Sequence, residues 1–230
     1  NLRDRAIALQ RVPPKKITTI YCGVDLKPFD HLPDSTAKRR ELGLPLDTPV
    51  VCTIGRLCVQ KGFPDFLAAA ALLHVQRPDV RFLVVGDGEM RGELERQAAQ
   101  LGLKGYLEFT GYRSDIAEIL TASDVFATAT HWESFGKVNV EAMAAGKPLV
   151  STNVGAIPEV IGDYKGARLV LPHDPVAFAS ALLTVLDNLD AYRQWGAAGR
   201  QRAYTLYGRQ ALVQRTTALY ERILAARGLG

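Results

Sequence analysis

The chain is predicted to fold as an α/β protein, a Rossmann-like doubly wound parallel sheet with helices on both faces. Two observations carry this expectation. Six short, nearly wholly apolar runs recur along the sequence, and longer segments with helical spacing of their apolar residues separate them. Strands that are apolar on both sides must be covered on both faces, and strand–helix alternation supplies the covering layers. Length agrees, since 230 residues can bury roughly 70% of the surface the unfolded chain exposes without any covalent staple.

The elements follow in order. Val50–Ile54 (VVCTI) is the first strand, and a helix runs from Pro64 to about Gln76. Val80–Val85 (VRFLVV) is the second strand, with a helix from about Glu89 to Leu101. Tyr106–Thr110 alternates as the third, before a short helix over Asp115–Ala122. Asp124–Thr128 and Pro148–Ser151 are the fourth and fifth, separated by a helix over Gly136–Ala145. A short helix over Ile157–Ile161 precedes the last strand, Ala167–Leu171. Pro172–Asp174 then lead into helices at about 175–189, 190–205 and 208–227. The Pro-rich stretch Arg11–Pro49, with one strand signal at Lys16–Tyr21, reads as a connector. The expected division is a connector and domain start over 1–49, the Rossmann-like domain over 50–207, and a terminal helical segment over 208–230.

Composition excludes several classes. An apolar share of 47% with 23% charged residues belongs to a globular domain and not to a disordered or fibrous chain. No run approaches the ~20 apolar residues of a spanning helix, and no signal-peptide pattern opens the sequence. The net charge of +4 arises in the first forty residues, which hold nine Lys or Arg against four acids. The rest is almost neutral, so no basic face for nucleic acid is expected. Cys22, Cys52 and Cys58 lack metal-site spacing, and an odd count without a secretory signal fits a reducing compartment. The four His (His31, His74, His131 and His173) are scattered along the chain, which argues against structural zinc.

In an open doubly wound sheet, ligands bind outside the carboxyl ends of the strands, so the loops there carry the chemistry. The loop Gly55-Arg56-Leu57-Cys58-Val59-Gln60-Lys61-Gly62 places two cations after the first strand. An Arg fork and a Lys point charge suit a diphosphate; the alternative is a solvated loop with two surface cations. Gly86-Asp87-Gly88 follows the second strand like the start of a dinucleotide fingerprint, but Arg91 stands where its third Gly belongs. It reads equally as a tight strand-to-helix turn. No D-x-D motif is present to hold a metal–diphosphate.

The richest stretch runs from His131 to Pro148. Ser134 is the expected N-cap of the following helix, leaving the amides of Phe135 to Val138 for a ligand. Lys137 in the first turn opposes the helix dipole unless something offsets it, and a bound phosphate would. Glu141 lies among apolar neighbours, which favours a partly buried, hydrogen-bonded carboxylate suited to vicinal hydroxyls. Glu133, in the loop, could meet a second sugar. The alternative is that both acids are surface groups. His131 could serve as a base, but a lone His beside Trp132 is more often structural.

Together these segments resemble the C-terminal, donor-binding domain of a retaining glycosyltransferase of the two-domain GT-B fold, glycosyltransferase family 4. The resemblance rests on Tyr21-Cys22-Gly23-Val24-Asp25 with Phe29, Gly55-Arg56-Leu57 with Lys61-Gly62, Val85 to Gly88, and Phe109-Thr110-Gly111. It continues through Glu133 and Glu141 with seven residues between them, Glu141 to Pro148, and Asn153 to Glu159. The family commonly has Asn where Cys22 stands, Gly where Ala156 stands and an acid where Gln60 stands. Lys137 and Asn139 occupy positions more often apolar.

The resemblance implies that the enzyme moves a hexose-type sugar from a nucleoside diphosphate sugar to a glycan or glycolipid acceptor. It implies Arg56, Lys61 and Glu133 as catalytic residues. Gly55, Gly86, Tyr112, Arg113, Phe135, Gly136, Lys137, Val138 and Glu141 join them in holding the donor, with Tyr112 and Arg113 at the base and Glu141 at the ribose. It implies no metal or other cofactor, and an acceptor-binding domain upstream of Asn1 to which the last helix returns. A chain of this length alone would then bind nucleotide weakly and transfer little sugar. Family habit further implies a cytoplasmic enzyme of polysaccharide biosynthesis, at the inner face of the membrane when peripherally attached. A dinucleotide-dependent oxidoreductase and a non-catalytic nucleotide-binding module are the competing readings.

Overall fold

The computed structural model describes residues 7–9 and 12–227. Among the described residues there are six strands: β1 (Val50–Ile54), β2 (Arg81–Val85), β3 (Leu107–Gly111), β4 (Val125–Thr128), β5 (Leu149–Thr152) and β6 (Ala167–Val170). They form one parallel sheet in the order β3-β2-β1-β4-β5-β6. Val50 lies opposite Arg81 and Ile54 opposite Val85, while Val51 on the other side of β1 pairs with Val125. Chain direction across the sheet reverses between β1 and β4. At that switch point successive crossovers leave on opposite faces and open a crevice at the strands' carboxyl ends.

The sheet divides the core in two. Val50 and Cys52 of β1, with Leu83 and Val85 of β2, face one side, and Val51, Phe82 and Val84 face the other. This is the period-two alternation of a strand, with both faces buried. One face is covered by α4 (Ile116–Ala122), α5 (Lys137–Ala144), α6 (Ile157–Ile161) and α9 (Gly196–Tyr207). The other is covered by α2 (Phe63–Gln76), α3 (Arg91–Gln100) and α7 (Pro175–Asp187). Asp174 caps α7 by accepting the Ala177 amide at 2.8 Å. Burial pushes the Cys52 thiol up to about 11, so it stays protonated and serves as core.

Three sequence expectations are corrected. Lys16–Tyr21 forms no strand; Pro14–Lys16 make a single 3-10 turn, and Pro13 and Pro14 have no amide to give a ladder. Pairing occurs instead at one isolated bridge between Val24 and Gly208. The helix expected over 190–205 is two, α8 (Leu189–Arg193) and α9. The break lets Gly196 sit on the loop after α5, where a Cβ would lie 2.6 Å from the Gly146 carbonyl oxygen. An unexpected helix, α1 (Ser35–Glu41), lies inside the Pro-rich stretch, capped by Asp34 accepting the Thr36 amide.

That stretch packs into the domain. Val24, Leu26, Phe29 and Leu44 are buried on the face covered by α5 and α9. Arg39 of α1 is buried and donates to the carbonyls of Pro45, Leu46, Thr48 and Ala122 and to the Asp124 carboxylate. Beyond α9 the last helix, α10 (Arg209–Ala226), buries only Ala211 among its residues and leaves Val213, Tyr220 and Ile223 exposed.

Candidate functional site

A crevice of about 630 Å³ opens at the carboxyl ends of β1, β2 and β3, beside the start of α5. The loop after β1 is stitched to the turn after β2: Gly55 N donates to Val85 O, Leu57 N to Asp87 O, and Met90 N to Leu57 O. Gly86, at φ 136°, permits this, because a Cβ there would stand 1.9 Å from the Gly55 carbonyl oxygen. A Cβ on Gly88 would likewise stand 2.5 Å from the Leu57 oxygen. The two glycines of the partial fingerprint thus serve loop-on-loop packing, and Arg91 beside them pairs with Asp87 and Glu95.

This packing presents Arg56 to solvent. Its Nη2 lies 3.2 Å from Glu89 Oε2, with side chains 74% and 56% exposed. So exposed a pair holds the guanidinium weakly, and an anion in the crevice can take it over. Lys61 is held more firmly. Its Nζ donates to Glu133 Oε2 at 2.6 Å, with only 13% of the Glu133 side chain exposed. The stem of Lys61 crosses Gly55, its Cδ 3.7 Å from where a Cβ on that glycine would be. Burial pushes the Glu133 carboxyl up, but the Lys61 hydrogen bond and charge outweigh it and hold it below its ordinary value.

Ser134 does not cap α5. The cap residue is Gly136, at φ 83°, and the exposed Ser134 lies outside the helix. Glu133 Oε1 instead accepts the amides of Ser134 and Phe135, at 3.0 and 3.4 Å. Those amides precede the helix, so neither side chain caps α5, and Gly136 takes the N-cap position with its left-handed backbone. The first amides of α5, on Lys137 and Val138, have no acceptor within the helix, and both residues line the crevice. They offer a positive helix terminus to an anion.

Glu141 faces the same space one turn further on, 8% exposed. Lys137 Nζ lies 3.1 Å from its Oε1, which offsets the unfavourable charge of Lys137 at the helix start. Burial still raises the Glu141 carboxyl above its ordinary value, with Lys137 opposing. Tyr112 stands 79% exposed on the opposite rim. Arg113 beside it is engaged, 2.5 Å from both Glu41 and Asp115, so its charge is already matched.

Of the residues singled out from sequence, Gly55, Arg56, Gly86, Tyr112, Arg113, Lys137, Val138 and Glu141 line the crevice itself. Lys61, Glu133, Phe135 and Gly136 do not line it; the Lys61 stem lies against Gly55, which does, and Glu133 Cγ is 3.5 Å from a Cβ built on Gly136, next to Lys137. The Phe135 ring turns inward, edge-on to Tyr207 at 5.6 Å, leaving its backbone beside Glu133. His131 does not line the crevice; its Nε2 meets the Asp65 carboxylate at 2.8 Å.

Sequence reasoning gave no role to Asp25, Pro28 and Phe29, which form another wall. Their signal was Tyr21–Asp25 with Phe29, in a stretch read as connector. It also missed what fastens Glu133. Ala156 N donates to the Glu133 carbonyl at 3.1 Å, and Gly155 approaches so closely that a Cβ would lie 1.8 Å from the same oxygen.

Comparison with known proteins agrees with this geometry. The sequence profile of the family described as "Glycosyl transferases group 1" matches residues 34–202. The chain is 32% identical over 217 residues to the MMP alpha-(1->4)-mannosyltransferase of Mycolicibacterium hassiacum, covering 93% of this chain and 50% of that protein. It therefore spans about half the length of such relatives. Among solved structures, Anabaena Alr3699/HepE in complex with UDP superposes with a TM-score of 0.84 at 26% identity, over 94% of this chain and 60% of that one. The C-terminal domain of the group 1 family protein LpcC from Francisella tularensis is matched over its whole length and 81% of this chain, with TM-score 0.72 and 27% identity. The chain belongs to the group 1 glycosyl transferases, with the fold of the C-terminal domain of their GT-B architecture.

Proposed function

We propose that this chain binds a nucleoside diphosphate sugar in the crevice and forms the donor half of a retaining glycosyltransferase. The observation that carries the reading is convergence. Arg56, the start of α5 and Glu141 come from separate parts of the chain and line one crevice, and the Lys61–Glu133 pair adjoins it through the contact of the Lys61 stem with Gly55. The UDP and UDP-glucose complexes of Alr3699/HepE support a nucleotide sugar as the ligand class.

In this proposal the diphosphate lies against the amides of Lys137 and Val138, and Arg56 swings from Glu89 onto it. Lys61 reaches it from its seat on Glu133. Negative charge grows on the diphosphate as the sugar–phosphate bond breaks, so these groups are worth more in the transition state than in the ground state. Glu141 accepts the two ribose hydroxyls, one on each oxygen, when its carboxylate is ionised. Tyr112 and the stem of Arg113 flank the base. Glu133 and the backbone of Phe135–Val138 hold the sugar, whose anomeric configuration is retained when the acceptor hydroxyl attacks on the face the diphosphate leaves. The steps use protein groups alone. The glycan or glycolipid acceptor belongs to the whole enzyme, which is cytoplasmic and peripheral to the membrane in this reading.

Packing of Gly86 and Gly88 onto the loop after β1 disfavours the dinucleotide alternative. Calorimetric titration of the chain with UDP-, GDP- and ADP-sugars and with NADH tests this. One nucleoside diphosphate sugar is expected to bind with heat and NADH not to; tighter binding of NADH would overturn the reading.

A further inference from the structure

We propose that Asp65, His131 and His173 form a binding site for a zinc-type divalent transition-metal ion, outside the donor crevice. The three residues lie far apart in sequence and come from the first turn of α2, the loop after β4 and the loop after β6. Asp65 Oδ2 lies 2.8 Å from His131 Nε2 and 3.6 Å from His173 Nδ1, and all three ligand atoms fall within 4.8 Å of one another. A tetrahedral ion with bonds of about 2.0–2.2 Å sets its ligand atoms ~3.4 Å apart, which the two distances to Asp65 straddle.

The donor set suits a metal. Two imidazoles stand side by side, centroids 3.9 Å apart, and both bring a ring nitrogen toward one carboxylate oxygen. The His173 contact, at 3.6 Å, is too long for a hydrogen bond, whereas a single divalent ion between the three ligand atoms would bond all of them. Imidazole and carboxylate ligands suit zinc and its neighbours better than magnesium or calcium.

His173 adds a second argument. Its backbone is left-handed, at φ 60°, the one non-glycine residue so placed among the described residues. An imidazole there is held against backbone preference, and a metal–nitrogen bond would offset that cost. The side chains of His131 and Asp65 are 22% and 24% exposed, while His173 at 65% leaves one coordination position open to water. None of the three lines the crevice. The ion ties the helix after Lys61 to the loop that carries Glu133, and so braces that ion pair.

The test is titration of the metal-stripped chain with Zn²⁺ by calorimetry, with Co²⁺ absorption as a second readout. One ion per chain is expected, with intense visible cobalt bands and a melting midpoint raised by roughly 5 °C at a hundredfold excess over Kd. His173→Gly should weaken binding at least tenfold while leaving the metal-free midpoint unchanged or higher, since glycine is at ease at that φ. His131→Gln should weaken it similarly, and Mg²⁺ should not compete. Absence of saturable Zn²⁺ binding, or wild-type affinity retained in both variants, would overturn the proposal.

Discussion

Arg56 and Lys61 carry the same charge in one loop, yet their surroundings assign them different costs. Arg56 stands 74% exposed on a weak pair with Glu89, so Arg56→Ala should leave the urea midpoint unchanged while nucleotide affinity falls about tenfold. Lys61 neutralises a Glu133 that is half-buried and fixes two loop amides. Lys61→Ala should therefore lower affinity and also cost about 1–3 kcal/mol of stability, as an uncompensated carboxylate is left behind. Urea unfolding and calorimetry on both variants separate the two effects; equal destabilisation would contradict the assignment. Gly155→Ala should displace the Glu133 carbonyl and cost about 2 kcal/mol or more, read by the same unfolding measurement. The carboxylates and cations were legible as residue types, because loops at strand ends are where an α/β sheet keeps its chemistry. The cap was not. Ser134 has the better local credentials, yet the cap falls on Gly136 through a left-handed backbone that residue type alone does not announce. The proximity of His131 to His173 was hidden for a similar reason, since scatter along a chain says nothing about distance across a sheet.

Among elements, the strands were the most legible because burial on both faces leaves an uninterrupted apolar run. The least legible was α1, whose STAKRRE sequence has no apolar stripe. Tertiary polar contacts hold it instead. Arg39 threads five acceptors, and Lys38 lies within 2.7 Å of Glu41, Asp115 and Glu118 with its side chain only 10% exposed. Arg39→Ala should cost about 3–5 kcal/mol, since it strands several buried carbonyls and Asp124 at once. The same cluster sets an acid response. The Arg113 hydrogen bond, followed by Lys38, holds the Asp115 carboxyl far below its ordinary value of 3.8. A depressed carboxyl contributes stability fully above its unfolded value and loses it as pH falls toward its folded one. Wild type should thus exceed Asp115→Asn in stability near pH 7, with the gap closing below about pH 4. A gap that stays constant down to pH 2 would contradict this.

At the scale of the molecule, the crevice draws on residues from Asp25 to Glu141, and no single segment builds it. The first forty residues carry the basic surplus, yet they also bury Val24, Leu26 and Phe29 and supply a wall of the site. Their proline content suggested a connector because composition reports local stiffness, not what the chain packs against. The doubly wound parallel sheet, by contrast, followed from strand–helix alternation, and its observed order fixes where the crevice opens. The most direct measurement is a crystal structure of the chain soaked with a nucleoside diphosphate, UDP first. The diphosphate should lie within hydrogen-bond distance of Arg56 and the Lys137 and Val138 amides, with ribose hydroxyls on Glu141. A nucleotide bound elsewhere on the surface, or in the crevice with Arg56 still on Glu89 and Glu141 untouched, would contradict the account.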